Sequence, residues 1–344
     1  MYNKIMKHKT NVDIIDVAIH AGVSPATVSR SFNHPKKVLA STRKRIEKAI
    51  LQTGYIRNRA AQAIQGKRSG TVGLIVPTLD NAIFSNLIQA FSDEIRKHGF
   101  TMLVTTHGYD LNDEYALLRS LLEHRVEGVA LIGHDHSKDT YNLLERRSVP
   151  VVSMWSYKRN SKISCVGGEN DQAGRAIAKH IINIGHSQIA IAFPNVKEND
   201  RARDRKNGVL KYLTENFIEV PDYWQVETAY SVQDARDSAA KMFEKYPCPT
   251  AVITGNDVIA QGFIYAAQAK GLNVPNDISV TGIGDFSSSA SSFPSITTVR
   301  MRPKKVGTKA ALVLLDRING DREADPTRIK VSVEVKSRES TKSI

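Results

Sequence analysis

Between residues 13 and 33 the chain reads DIIDVAIHAGVSPATVSRSFN, two short helices on either side of a glycine. Ile14, Val17, Ala18 and Ala21 recur at helical spacing and give the first segment one apolar face. Asp13 stands at the N-cap position with Asp16 three residues on, the spacing of a reciprocal capping box, although Asp is a shorter partner than the usual Glu. Gly22 falls where the backbone must turn left-handed, which a residue without Cβ does freely. Val23 is expected to plug the turn. Ser24 offers an N-cap hydroxyl to the second helix, and Pro25 takes the first helical position, where its missing N–H costs nothing.

In that second helix Val28 and Phe32 face inward and leave Pro25, Ala26, Thr27, Ser29 and Arg30 pointing out. The outward set is small and polar except for one long guanidinium. It suits close approach to phosphates plus one bidentate reading of a guanine edge. The competing reading is a helical hairpin that binds nothing. The agreement of cap, proline, turn glycine and small outward residues speaks against it.

Charge is distributed accordingly. The chain carries +13, and residues 1–70 hold 14 Lys and Arg against 3 Asp and Glu, a net of +11. The remaining 274 residues are nearly neutral at +2. Basicity confined to one end is the footprint of a polyanion-binding module. A membrane surface would attract it too, but no basic helix with a broad apolar stripe accompanies it.

A third helix is expected over 41–53, with Ile46, Ala49 and Ile50 inward and Gly54 closing it. Residues 55–67 are alanine-rich and basic, with too small an apolar face to stay helical alone. They read either as a linker that becomes a helix once DNA or a second copy supplies a surface, or as a permanently ordered connector.

From Thr71 the texture changes to apolar runs at 71–76, 101–105, 128–132 and 150–153, then at 188–193, 225–228, 250–254 and 279–283. Helical stretches at 84–98, 113–124, 139–147, 172–184, 202–216, 232–245 and 257–270 separate them. Such alternation predicts parallel α/β sheets with helices on both faces. About 270 residues suit two lobes better than one. Ligands of such sheets bind beyond the carboxyl ends of the strands, and a cleft between two lobes gathers those ends.

Catalytic signatures are missing. Gly282-Ile283-Gly284-Asp285 lacks the third glycine of a dinucleotide fingerprint. His134-Asp135-His136 reads as a solvated loop rather than a metal site. Cys165 and Cys248 form no metal or redox motif and read as two buried small hydrophobes. No metal, cofactor or enzymatic activity is expected. The polar, basic start of the chain shows no secretory signal and no run is long enough to span a membrane, so a cytoplasmic, nucleoid-associated protein is expected. Arg201, Arg203 and Arg205 form either a charged helix face or a clamp for an anionic or polyhydroxylated ligand, with Arg205 the best candidate. Asn256-Asp257 and Asp285 follow strands; Asp257 is read as a helix cap and Asp285 as a ligand contact.

The stretches DVAIHAGVSPATVSRSFN and TGYIRNRAAQAI, the strand–helix alternation and SREST at 337–341 closely resemble the LacI/GalR family of bacterial transcriptional regulators over nearly the whole chain. The resemblance implies an all-α helix-turn-helix headpiece (1–57), a hinge helix or linker (58–69) and a periplasmic-binding-protein-like core (70–344). The core's lobes would comprise about 70–168 with 302–329, and about 169–298 with 330–344, joined by three crossovers. Members dimerise through the core on near-palindromic operators in double-stranded DNA. The heptad tail that makes tetramers in one member has no counterpart here, so a homodimer is expected.

Carried over by position, base reading falls on Pro25, Ala26 and Arg30, and phosphate contact on Ser24, Thr27, Ser29, Asn33, Tyr55 and Asn58. Ile64 replaces the usual leucine wedge of the minor groove. Leu39 stands where the family often has a capping serine, which leaves Ser41 to cap the third helix. The effector pocket maps onto Phe84, Trp155, Arg205, Tyr230, Asn256 and Asp285, with Met154 in place of an aspartate common in sugar-binding members. THGYDLNDEYALL and the basic helix start at 201–205 look like gluconate-type repressors, so the implied effector is a sugar, sugar acid or sugar phosphate. The reading is a DNA-binding regulator, a repressor, whose effector shifts the dimer geometry and the order of the hinge helices. The rivals are a solute-binding protein of transport sharing the two-lobe core and an α/β enzyme with an accessory headpiece.

Overall fold

Helix α1 (Ile14–Ala21) starts where the Asp13 carboxylate accepts the N–H groups of Ile15 and Asp16 at 2.8 and 3.0 Å. Asp16 returns a carboxylate oxygen to the Asp13 N–H at 3.0 Å, so the box closes with the shorter acid. The computed structural model describes residues 12–57, 68–80, 82–320 and 324–344. They form two units that divide between Ser69 and Gly70. In the first, Gly22 turns the chain at φ +62°, and Ser24 accepts the Thr27 N–H at 3.2 Å to open α2 (Pro25–Asn33). Helix α3 (Ala40–Thr53) follows and ends on left-handed Gly54. Val17, Ala18, Ala21, Val28, Ile46 and Ala49 form the small core, with Val23, Phe32 and Tyr55 partly buried against it. Ser41 does not cap α3: the N-cap position is Leu39, which makes no side-chain cap bond, and Ser41 lies inside the first turn.

The second unit contains two six-stranded sheets. The first holds β1 (Thr71–Val76), β2 (Thr101–Thr106), β3 (Val129–Ile132), β4 (Val151–Ser156), β5 (Ser164–Gly168) and β11 (Arg328–Lys330), in the order β11-β5-β4-β3-β1-β2. The second holds β6 (Ile189–Phe193), β7 (Gln225–Glu227), β8 (Ala251–Thr254), β9 (Ser279–Gly284), β10 (Thr297–Arg300) and β12 (Glu334–Lys336), in the order β12-β10-β9-β8-β6-β7. Every pairing is parallel except that of β10 with β12. Parallel strands buried on both faces need helices on both sides. Helices α4 (Ala82–Lys97), α5 (Leu111–Glu123), α6 (Lys138–Arg146) and α11 (Pro303–Asn319) supply them to the first lobe. Helices α7 (Asn170–Asn183), α8 (Asp200–Glu215), α9 (Val232–Lys245) and α10 (Asp257–Ala269) supply the second.

The chain crosses between lobes three times: from β5 to α7, from β10 to α11 and from β11 to β12. Helix α11 and strands β5, β10, β11 and β12 have no counterpart among the elements expected from sequence. Cys165 is buried in β5, where burial pushes its thiol up, but Cys248 is exposed between α9 and β8, contrary to expectation. Among the described residues no helix is long and apolar enough to cross a membrane.

Candidate functional site

The outward face of α2 has the composition expected of it. Ser24, Pro25, Ala26 and Arg30 are exposed; Thr27, Ser29 and Asn33 are half-buried. The Ser24 and Thr27 hydroxyls lie 2.9 Å apart, and Asn33 Nδ2 donates to Ser29 Oγ at 3.3 Å. The Arg57 guanidinium lies over the Phe32 ring, 5.0 Å from its centroid, and donates to Asn33 Oδ1. The Tyr55 ring tilts against that of Phe32, with centroids 6.4 Å apart. Lys36, Lys37, Lys44 and Arg45 of the same unit are exposed as well. Asn58 and Ile64 lie outside the described residues, as does most of the expected hinge.

In the core, the carboxyl ends of the strands meet around Arg205. This guanidinium is 1% exposed; Nε donates to Asn170 Oδ1 at 2.9 Å and Nη1 to the Gly255 carbonyl at 2.8 Å. Asn170 Nδ2 donates in turn to Ser156 Oγ at 3.0 Å. One network therefore runs from the Gly255 carbonyl through Arg205 and Asn170 to Ser156, whose hydroxyl donates to Asp200. Trp155 sits at φ +79°, a costly backbone for a bulky residue, with Phe84 edge-on at 6.2 Å. Tyr230 of the second lobe stacks on Tyr109 of the first at 5.8 Å. Phe84 thus packs on Trp155 in the first lobe, Arg205 lies on the carbonyl before Asn256 in the second, and Tyr230 reaches across to Tyr109. Burial pulls the Arg205 guanidinium below its ordinary value.

Asp285 is committed elsewhere. One oxygen accepts from Arg338 at 2.5 Å and the other from Arg300, and although burial works against ionisation the two guanidiniums hold its carboxyl below the usual range. The cap of α10 is Asn256, whose Oδ1 accepts the Ile259 N–H at 2.9 Å, and not Asp257. Asp257 is buried and accepts from Phe286 N–H, Ser289 Oγ and Thr298 Oγ1; burial still pushes it up.

The run 134–136 is no solvated loop. Asp200, at the start of α8, accepts the His134 N–H at 2.9 Å and the Ser156 hydroxyl at 3.2 Å. Arg201 donates to the Ile132 carbonyl at 3.1 Å and to Asp200 at 2.8 Å. Arg203 grips Asp135 through both nitrogens, and His136 Nδ1 lies 2.7 Å from buried Glu114. Arg201 and Arg203 therefore fasten one lobe to the other instead of clamping a ligand. Gly133, at φ +81°, makes the approach possible, since a Cβ there would lie 2.2 Å from Arg201 Nη1. Burial tends to raise the Asp200 carboxyl, but Arg201 and the His134 amide hold it low. Sequence reasoning missed Asn170, Tyr109 and Asp200. Asn170 follows β5, and overlooking that strand hid the one signal that would have marked it.

Comparison with known proteins bears on both units. The profile of bacterial regulatory proteins, lacI family, matches residues 13–58, and that of the periplasmic binding protein-like domain matches 178–341. Catabolite control protein A of Priestia megaterium is 30% identical over 332 residues, which cover 96% of this chain and 100% of that protein. The HTH-type transcriptional repressor PurR of Haemophilus influenzae is 30% identical over 335 residues, covering 96% and 99%. The crystal structure of the lac repressor dimer bound to operator and the anti-inducer ONPF aligns with a TM-score of 0.84 at 27% identity, over 97% of this chain and 100% of that one. Carrying a lacI-type helix-turn-helix and a two-lobed parallel α/β core, and matching a full-length relative, the chain belongs to the lacI family of bacterial regulatory proteins, a family of transcriptional regulators.

Proposed function

We propose that this regulator represses transcription by laying α2 into the major groove of a near-palindromic operator as a homodimer. Arg30 reads a base edge, Pro25 and Ala26 allow close approach, and Ser24, Thr27, Ser29, Asn33 and Tyr55 contact phosphates. Asn58 supplies a further phosphate contact, and residues 58–69 act as a hinge whose Ile64 wedges the minor groove. The observation that carries this reading is the face of α2, where Arg30 is the one long charged side chain on an otherwise small, polar surface. The relatives' names agree with it: one is a transcriptional repressor, and the lac repressor is seen as a dimer on its operator.

The core binds a sugar, sugar acid or sugar phosphate between its lobes, around Arg205, Asn256, Trp155, Phe84 and Tyr230, with Asp285 at the margin. A ligand that favours one lobe arrangement shifts the dimer and with it the order of the hinge. The protein works in the cytoplasm on nucleoid DNA and needs neither metal nor catalysis. Selection of random duplexes by the full chain tests the reading: it should enrich one sequence with two-fold symmetry. No enrichment over competitor DNA, with or without sugars present, would refute it.

A further inference from the structure

A cavity of about 860 Å³ lies within the first lobe, between α6 and the connection 157–163 that leads from β4 to β5. That is the size of a small-molecule site. None of Phe84, Trp155, Arg205, Tyr230, Asn256 and Asp285 lines it, so it is separate from the neighbourhood of Arg205.

Its charge is one-sided. Lys138 enters from α6, Lys158 and Lys162 from the connection, and Arg317 from α11, against the single carboxylate of Glu145. The remaining lining residues are neutral apart from His134 and His136 at one end. Both imidazoles are already engaged, His134 with the Ser156 carbonyl and His136 with Glu114 and the Gly133 carbonyl. Among the described residues the three lysines have no ion-pair partner, whereas Arg317 donates to the Ala324 carbonyl. Residues 71–344 together carry only +2, so this concentration of cations is local and does not reflect a basic body. Lysines scattered over a convex surface are solvated one by one. Cations that converge on one concavity add their fields inside it and favour an anion there.

The walls are fixed. Arg328 of β11 donates through Nε and Nη2 to the Ser161 carbonyl at 2.9 and 2.7 Å, and the Ser161 N–H closes on the Lys158 carbonyl at 3.1 Å. Lys158 and Lys162 therefore flank a pinned turn. On the other side Ser137 caps α6 by accepting the Thr140 N–H at 3.0 Å, and the Tyr141 hydroxyl donates to the His134 carbonyl at 2.9 Å. Only the long lysine stems remain to be ordered, which keeps the cost of binding low.

The geometry points to a second ligand site, in the first lobe alone, for a small polyanion carrying at least two phosphate groups. One carboxylate or one phosphate would leave part of the surrounding charge unanswered. Two phosphates let the lysines of both walls each meet an anionic oxygen.

The test titrates inorganic pyrophosphate and orthophosphate into the full chain by calorimetry at about 0.15 M salt. Pyrophosphate should bind about tenfold or more tightly than orthophosphate. The double variant Lys158→Glu/Lys162→Glu should weaken pyrophosphate about tenfold or more. Lys36→Glu/Lys37→Glu reverses the same charge on exposed residues of the basic headpiece and should change the affinity less than about twofold. Should the first pair of changes disturb the connection, Lys138→Gln on the opposite wall reads the same cavity and should cost severalfold. Equal losses in the two double variants would show that only net charge attracts the anion and would overturn the site. Loss confined to the headpiece variant, or binding untouched by any cavity variant, would place the anion elsewhere and overturn it too. Equal affinity for pyrophosphate and orthophosphate would overturn the diphosphate class, and no binding at millimolar concentration would overturn the whole inference.

Discussion

Arg203 donates both terminal guanidinium nitrogens to the two oxygens of Asp135, at 2.7 and 2.8 Å, and joins the start of α8 in one lobe to the loop after β3 in the other. The pair is partly exposed, with 39% and 24% of the two side chains open to solvent, so its worth is discounted to about 1 kcal/mol despite the bidentate geometry. That is still enough to shift an equilibrium between open and closed lobes about fivefold. Arg203→Ala and Asp135→Asn should each raise the radius of gyration of the ligand-free protein in small-angle scattering. The exchange Arg203→Asp with Asp135→Arg should restore it in part. Identical scattering curves for all four proteins would mean that the pair does not hold the lobes together.

Gly133→Ala should act in the same direction and more strongly. The added Cβ meets Arg201 Nη1 at 2.2 Å and Asp200 Oδ1 at 2.3 Å, and φ +81° strains any side chain. The backbone strain alone costs about 1–2 kcal/mol. A lowered melting temperature together with a larger radius is expected. A lower melting temperature at unchanged radius would show that the lobes absorb the Cβ without parting.

Arg30→Ala should cost about 1–3 kcal/mol of specific DNA binding and broaden the base preference in each half-site. Fluorescence anisotropy against the selected operator and its single-base variants measures both effects. Equal loss on all sequences would reassign Arg30 to the phosphate backbone, and no loss would remove it from the interface.

Acid should destabilise the core through its buried imidazoles. His107, His134, His180 and His186 are all held below the ordinary value near 6.5, with burial the leading cause in each. The unfolded chain therefore takes up protons that the folded chain refuses. Their contribution to stability is complete above about pH 6.5 and is lost as pH falls through the depressed folded values. Asp204 and Asp257, both raised by burial, have the opposite sign, so the imidazole slope should be clearest above the carboxylate range. His186 bonds Thr250 Oγ1 at 2.9 Å and Ser279 Oγ at 3.0 Å, and His186→Gln should flatten the decline in melting temperature from pH 7 to 5. An unaltered slope in the variant would show that the other groups carry it.

The headpiece was legible in the sequence because its determinants are local: Asp13, Gly22, Ser24 and Pro25 act within four residues of where they stand. Strands β1 to β4 and β6 to β9 were legible as apolar runs. Strand β5, SCVGG, was not, because its glycines serve close approach: a Cβ on Gly167 would lie 2.3 Å from the Trp155 carbonyl carbon. Helix α11 carried a readable signal, with Val306, Ala310, Ala311, Val313 and Leu314 buried at helical spacing, and was simply overlooked. The candidate site was half legible. That Arg205 and Asn256 sit at strand ends follows from the alternation. That Asp285 is consumed by Arg300 and Arg338, 15 and 53 residues away, follows only from the fold. The one-residue choice between Asn256 and Asp257 as cap was equally beyond reach, since either side chain can serve.

The third crossing has a consequence for how the molecule is made. Residues 328–330 supply the margin of one sheet, residues 334–336 that of the other, and Ser340 pins the second by accepting from Thr297 N–H at 2.9 Å and donating to the Val280 carbonyl at 2.6 Å. During synthesis both halves of the metabolite receptor wait, unfinished, for the same short stretch, while the contiguous amino-terminal reader is already available to mature. A protease that clips this stretch would unmake both halves at a stroke, and would leave the reader without the body that governs it.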